Sequence, residues 1–486
     1  MANTVRRMAA ASSRLVERYL PEAFLFAILL TFVAYGAAFV AVSPGGSYVD
    51  HGIALLTDGW YGGFWGLLSF AMQMTLILMT GYALAQTDLV DGVLASLAEL
   101  PSSERTAAAF VPAVAAAASF VHWGLGLVVG GLFARKVARE IRGIDFPIVV
   151  AGAYAGFVVW HGGLAGSIPL LLNSEASAGN FLIERGILDS TISTGQTIFT
   201  TMNLVLVVVV GFVFLPALFY VMYPDRESEK HPVDPATFDG DVATDGGETD
   251  ARTAAGTATG GPTGDATFAE RLEHSRGLAT VVSVVGLAAV LGYFGQGYLN
   301  GTMPWNNLNL NIVNFTFLFL GIGLHRTPAA YIEVMKEGVK NVWGIILQFP
   351  FYAGIMGIMA YAPEGSVSLA TQIAQGMVSV APEAALPAVA FLTAGIVNMF
   401  VPSGGGEWAV IGETLVTAAQ ASGVSVERVS VAASWGDAWS NMIQPFWAIP
   451  LLAISGLSVR DIMGYCVLVL IGVGIIVGLG VTFLPM

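Results

Sequence analysis

Seven stretches of the chain run for about twenty residues with scarcely a charge: 21–43, 64–86, 198–222, 277–299, 307–324, 342–362 and 459–485. A helix of about 20 apolar residues is what crosses the hydrocarbon of a bilayer. Inside that layer every peptide group needs a partner within the protein, so a chain built from such runs folds as membrane-crossing helices. Composition agrees: 55% of residues are hydrophobic, only 11% are charged, and mean hydropathy is +0.71. Soluble domains carry about 25% charged residues. The expected class is an all-α polytopic membrane protein whose surface faces membrane lipids. A single cysteine, Cys466, excludes a disulfide framework and thiolate metal clusters. No basic patch points to nucleic acid.

The net charge of −14 is concentrated. Between Asp225 and Arg276 there are 12 acidic and 5 basic residues, a net of −7, so half the excess lies in one polar segment. With "GTATGGPTGD" inside it, residues 224–276 read as an acidic, disordered linker, solvated and suited to high salt. At the other end, Arg6, Arg7, Arg14 and Arg18 precede the apolar run from Phe24 to Val42. That run is too long for a signal sequence and lacks a clean cleavage site, so it reads as the first crossing. Residues 1–20 then form a cytoplasmic N-terminal segment.

Four further apolar stretches are interrupted. Residues 105–140 contain "HWGLG", 146–173 contain "WHGGLAGS", 383–421 contain "VPSGGGEW", and 429–453 contain "WGDAWSNMIQP". The interruptions recur. Trp65-Gly66 and Trp343-Gly344 are 278 residues apart; "FVHWGLG" from Phe120 matches "FVPSGGG" from Phe400 at 280; "SIPLLL" from Ser167 matches "AIPLLA" from Ala448 at 281. Three matches in one order at nearly one offset argue for duplication.

Charge places the ends. With the N-terminal arginines in the cytoplasm, and with 105–140 and 383–421 entering and leaving on one side as hairpins, Arg135, Lys136, Arg139, Arg142, His325, Arg326, Lys336, Lys340 and Arg460 also fall inside. The external loops 44–58, 174–197, 300–306 and 363–382 then hold Arg185 as their only Lys or Arg. The resulting plan has about nine full crossings and two re-entrant hairpins. A first repeat spans 21–223, a connecting helix 277–299, and a second, inverted repeat 300–486.

A broken membrane helix has to face protein or a water-filled cavity, and it leaves free N–H groups at a half-helix start. Such a start attracts an anion without a buried cation. The tip "PSGGGEW" therefore predicts a carboxylate cradle from Ser403, Gly404, Gly405 and Gly406, with His122, Trp123, Gly124 and Gly126 as its counterpart. His161 and Ser167 mark one neighbouring break; Asn441 and Gln444 offer neutral polar contacts at the other. Acids inside membrane segments are costly and by default functional, which makes Glu407 and Asp437 candidates for a coupling ion or proton. Blander roles are open to several of them. Gly124 and Gly126 could only permit close packing, His122 and His161 could be satisfied core histidines, Glu407 could sit in water, and Asp437 at a helix mouth. Glu413 could cap or pair within its hairpin. Trp123, Trp408, Trp435 and Trp439 could wall an apolar pocket or anchor at an interface. No Lys or Arg falls in the central motifs, which favours a small monocarboxylate over a dicarboxylate.

The motifs "FWGLLSFAMQM", "HWGLGLVVGGLFARKVAR", "QFPFYAGI", "VPSGGGEW" and "QPFWAIPLLAISGLSVRDIMGYC" closely resemble the short-chain fatty acid transporter family, within the ion-transporter superfamily. The similarity runs from about Leu20 to Phe483, excepting the linker. It implies inverted repeats, re-entrant hairpins, a homodimer and elevator-type movement. It also implies uptake of short-chain carboxylates in the acetate, butyrate and acetoacetate range, driven by H⁺ or Na⁺, across the cell membrane and without a cofactor. On the family's pattern the tips fall at Trp123, Gly124 and Gly126, and at Ser403 to Gly406. The chain departs from it at His122, where asparagine is usual, and at Glu407, where histidine can occur. Competing readings are a cation/proton antiporter or dicarboxylate carrier of the same superfamily, and an intramembrane enzyme. The last is opposed by the absence of H-E-x-x-H and G-x-S-x-G and by scattered histidines.

Overall fold

The computed structural model describes residues 23–174, 180–234, 267–301, 303–307, 310–340, 342–380 and 382–486, with isolated positions before residue 23. Arg6, Arg14, most of the 1–20 segment and residues 235–266 of the acidic linker lie outside the described residues. Among those described, the regular structure is helical throughout and contains no strand.

The first helices are α1 (Ala23–Ala41), α2 (Tyr48–Ala54), α3 (Leu68–Ala85) and α4 (Asp88–Ala98). They are followed by α5 (Glu104–Val121), α6 (Trp123–Glu140), α7 (Phe146–Ala155, tightening to a 3₁₀ turn through Gly162) and α8 (Ser167–Leu172). Next come α9 (Thr201–Val208, reaching Met222 through a wide π turn), α10 (Arg276–Leu299), α11 (Leu310–Leu324), α12 (Pro328–Val339), α13 (Trp343–Ala360) and α14 (Leu369–Ser379). The chain ends with α15 (Leu386–Asn398), α16 (Gly404–Ser422), α17 (Val426–Ser440, with a 3₁₀ turn Asn441–Ile443), α18 (Pro445–Ser455) and α19 (Val459–Phe483).

Among the described residues, five segments are long and apolar enough to cross a membrane: Phe24–Ala41, Phe146–Leu172, Thr201–Met222, Arg276–Leu299 and Val459–Phe483. The other runs counted toward nine crossings form shorter apolar helices, among them Ala71–Leu84, Asn311–Leu324 and Ile346–Ala360. Phe146–Leu172 differs from the rest in being almost wholly enclosed by protein, whereas α1 and α10 are mostly on the outside. Three polar stretches between the apolar runs, one of them the external loop 363–382, hold short helices: α4, α12 and α14. Each starts on a hydroxyl cap, Thr87, Thr327 or Ser368, which accepts the amide three residues on. Their polar faces hide them from a search for twenty-residue apolar runs.

The interior is built by a succession that occurs twice: helix, break, helix, interrupted helix, short helix, as α5–α8 and as α15–α18. Each interrupted helix packs on the first member of its own set through a glycine with no room for a side chain. At Gly156 a Cβ would strike Ala115, the Pro112 carbonyl and the Ala116 amide of α5; at Gly436, 280 residues later, it would strike the Phe391 carbonyl and Ala394 of α15. The chain folds back at the first break. Gly126 faces Ser119 and Gly130 faces Ala115, so α5 and α6 form a helical hairpin with its apex at His122.

Candidate functional site

The two hairpin apices are capped helix starts. His122 is extended (φ −159°, ψ 129°), and its Nδ1 accepts the Gly124 amide at 3.1 Å as α6 begins. Ser403 is also extended (φ −151°, ψ 107°), and its hydroxyl accepts the Gly406 amide at 3.4 Å at the start of α16. The caps are 281 residues apart, one more than aligning the glycines of "HWGLG" and "PSGGG" suggests. His122 does the work of Ser403, with its Nδ1 spent as an acceptor. Gly126 faces into its hairpin against Ser119, which is the packing role.

The three glycines of the second apex differ in surroundings. A Cβ on Gly404 would collide with the His161 ring and the Ser167 hydroxyl, and one on Gly406 would lie 2.7 Å from the Met356 methyl. One on Gly405 would meet nothing within 4 Å. The amides of Gly404 and Gly405 find no acceptor among the described residues. The helix start thus offers free N–H groups beside open space.

His161, at the end of the tightened α7, joins this apex to α17. Its Nε2 lies 3.1 Å from the Ile168 amide, which can only donate, so that nitrogen accepts and the ring proton sits on Nδ1. Nδ1 donates to Asp437 Oδ2 at 2.7 Å, and the Ser167 hydroxyl stands 3.1 Å from Nε2. Glu407 adjoins Asp437. Both acids and His161 are fully buried. Among the described residues, neither oxygen of Glu407 meets a donor, nor does Oδ1 of Asp437. His161, Ser167, Gly404, Glu407 and Asp437 are therefore one cluster.

Asn441 and Gln444 belong to an adjoining polar knot at the break in α17. Asn398, the last residue of α15, places Nδ2, with two protons to donate, within hydrogen-bond distance of the Asp437 carbonyl (2.9 Å), Ser440 Oγ (2.8 Å) and Asn441 Oδ1 (2.7 Å). Gln444 Nε2 donates to the Met399 carbonyl at 2.9 Å. At the corresponding place in the first set, 280 residues earlier, the Leu164 amide donates to the Phe120 carbonyl at 2.7 Å. Across the sets, the Tyr154 hydroxyl on α7 donates to the carbonyl of Asn441 (2.5 Å). Trp123 meets the site indirectly, through rings of Trp160 and Trp447 whose centroids lie 6.5 and 5.3 Å away. Trp435 and Trp439 are anchored by their indole N–H groups, to Asn203 Oδ1 and the Leu470 carbonyl. Glu413 pairs outside its hairpin, with Arg185.

Three residues that hold the site carried no sequence expectation: Tyr154, Asn203 and Asn398. Asn203 donates to the Gly162 carbonyl at 2.7 Å, closing the first break. A lone asparagine in the otherwise apolar run 198–222 was its signal. Replacing Asn398 by alanine leaves the buried Asn441 Oδ1 without its donor, whereas the Asp437 carbonyl keeps the Asn441 amide. The expected cost is about 2 kcal/mol or more, seen as a lower thermal midpoint in detergent, with Asn398→Ser milder than Asn398→Ala.

Comparison with known proteins settles the family. The family profile described as "Short chain fatty acid transporter" matches residues 4–484. The chain belongs to that family. A protein of Haemophilus influenzae is 36% identical over 99% of this chain and 100% of its own length. One of Escherichia coli is 35% identical over 98% and 99%. Both carry the provisional name short-chain fatty acid transporter. Among solved structures, the YdaH transporter of Alcanivorax borkumensis is similar with a TM-score of 0.44 and 16% identity, over 94% of this chain and 98% of that one. That likeness is too low to carry an argument. As a member of the short-chain fatty acid transporter family, the chain is a membrane transporter and not an enzyme.

Proposed function

We propose that the chain is a secondary active transporter that takes up short-chain monocarboxylates of the acetate, butyrate and acetoacetate kind, coupled to H⁺ or Na⁺. One observation supports the reading: at the start of α16 the amides of Gly404 and Gly405 meet no acceptor among the described residues, and open space lies beside Gly405. The substrate carboxylate binds those amides and the Ser403 hydroxyl. Gly405 leaves the room for it. The first apex, with Trp123 and Gly124, closes the site from the other side through the indoles of Trp160 and Trp447. The name shared by the relatives supports the substrate class.

The coupling ion sits at Glu407 and Asp437. Two carboxyl groups buried side by side need a proton or a cation between them to offset the cost of like charge away from water. His161, neutral and held by Ile168, orients Asp437 without supplying that charge. In this reading α5/α6 and α15/α16 are re-entrant hairpins of two inverted repeats, 21–223 and 300–486. They move as a block in an elevator-type cycle, and α10 connects the repeats. The protein is a homodimer in the cell membrane, with its N-terminus and acidic linker in the cytoplasm.

The test is uptake by proteoliposomes of labelled acetate, butyrate and acetoacetate under imposed H⁺ or Na⁺ gradients. Accumulation above the level of empty liposomes supports the proposal; none under either gradient removes it. The buried carboxyl pair also favours a second reading, cation/proton antiport without organic substrate. A pH-dye assay with and without butyrate separates the two, since only the carboxylate transporter responds to butyrate.

A further inference from the structure

A second polar cleft lies away from the site, between α14 and α16 where α13 ends. It is lined by Arg185, Ser368, Thr371, Gln375, Glu413 and Thr414, with Ala360, Ala409 and Val410 below. Arg185 Nη1 and Glu413 Oε2 are 2.9 Å apart. Their side chains are 56% and 51% exposed, so the cleft and the pair reach the protein surface. Arg185 also lies over the Phe181 ring, 5.3 Å from its centroid. Its segment is held to α16 by the Gln420 amide, which donates to the Ile187 carbonyl at 2.8 Å. The guanidinium is thus fixed at the rim by contacts other than Glu413.

The cleft lies on a track to the apex. On α16, Glu413, Ala409, Val410 and Gly406 follow one another at helical spacing down one face. Seven residues of helix separate Glu413 from Gly406, a rise of about 10 Å. On α13, Ala360 lines the cleft, and Met356, one turn away, rests its methyl on Gly406. A flexible thioether therefore sits at the Gly406 turn, one helical turn from the cleft-lining Ala360.

Resting on the transport function proposed above, we propose that this cleft is an outer docking station for the substrate's carboxylate. Arg185 exchanges the Glu413 carboxylate for that of the incoming acid. The hydroxyls and amide of Ser368, Thr371 and Gln375 supply further hydrogen bonds. The acid then passes Met356 to Gly405. Exposed charge pairs are weak, which is what an exchange of partners requires. Glu413 acts as an internal competitor that keeps the station from holding its cargo too firmly.

The two members of the pair then have opposite effects, which a structural brace would not produce. In proteoliposomes Arg185→Gln raises the KM for butyrate and flattens its dependence on ionic strength, whereas Glu413→Gln lowers KM, each by about two- to fivefold, with little change in kcat. Shifts of KM in the same direction, or none, overturn the proposal. Binding is read separately by labelling Gln375→Cys with a polar maleimide, the native Cys466 being buried. Butyrate slows this labelling when Arg185 is present and not in the Arg185→Gln background. Absence of protection also overturns the station. Protection without uptake by any vesicle removes the transport reading and leaves an anion site.

Discussion

Replacing Glu407 by glutamine is expected to abolish accumulation of butyrate against its gradient while leaving butyrate–butyrate exchange intact. The side chain keeps its size and loses its ability to take up and release a charge. Glu407 is buried beside Asp437 and meets no donor among the described residues, so the amide removes like-charge repulsion and folding should hold. Coupled uptake should fall on the order of tenfold or more, the scale expected where an intramembrane acid carries the ion. Counterflow with labelled butyrate inside and out checks the exchange arm. Accumulation at the unmodified level would show that the ion travels elsewhere. Asp437→Asn is the companion variant. Its amide oxygen can still accept from His161 Nδ1, so orientation survives while charge is lost.

Gly404 and Gly405, adjacent in sequence, should respond in opposite ways to an added side chain. Gly404→Ala drives a methyl into the His161 ring and Ser167. Overpacking of that kind costs about 1–3 kcal/mol, and it should lower the thermal midpoint and disturb the His161–Asp437 bond. At Gly405 an added Cβ meets nothing within 4 Å, so Gly405→Val should lower the midpoint far less than Gly404→Ala. Butyrate transport should nonetheless fall by about tenfold or more, because the isopropyl group occupies the space assigned to the carboxylate and losing one charge-assisted hydrogen bond alone accounts for about 1.5–3 kcal/mol. If the valine variant transports normally, the carboxylate binds elsewhere. If it unfolds, the open space is not what it is taken for.

The sequence exposed the helical class and the four interruptions because both are local. A run of apolar residues and a cluster of Pro, Ser and Gly leave marks within ten or twenty positions. The breaks fall where expected: His122 between α5 and α6, 401–403 between α15 and α16, and Gln444 before Pro445. What joins the breaks was not legible. The His161–Asp437 bond links positions 276 residues apart, and nothing near either residue announces the other. Glu413 shows the same limit. Its neighbours in sequence gave no hint that its partner would be Arg185, 228 residues away. Asn203 and Asn398 stayed hidden because one polar residue in an apolar run also fits a membrane helix that needs no special partner. The short helices α4, α12 and α14 escaped because a polar-faced helix of 11 or 12 residues looks like a loop to a hydropathy search.

The gaps in α7 and α17 are mended crosswise. Asp437 from the later part of the chain steadies His161 in the earlier gap, and Tyr154 from the earlier part reaches a carbonyl in the later one. These ties come on top of those each portion makes for itself, Asn203 to Gly162 in the first and Gln444 to Met399 in the second. Each portion can therefore take shape alone but is finished by the other, so a lesion in one should loosen its sibling.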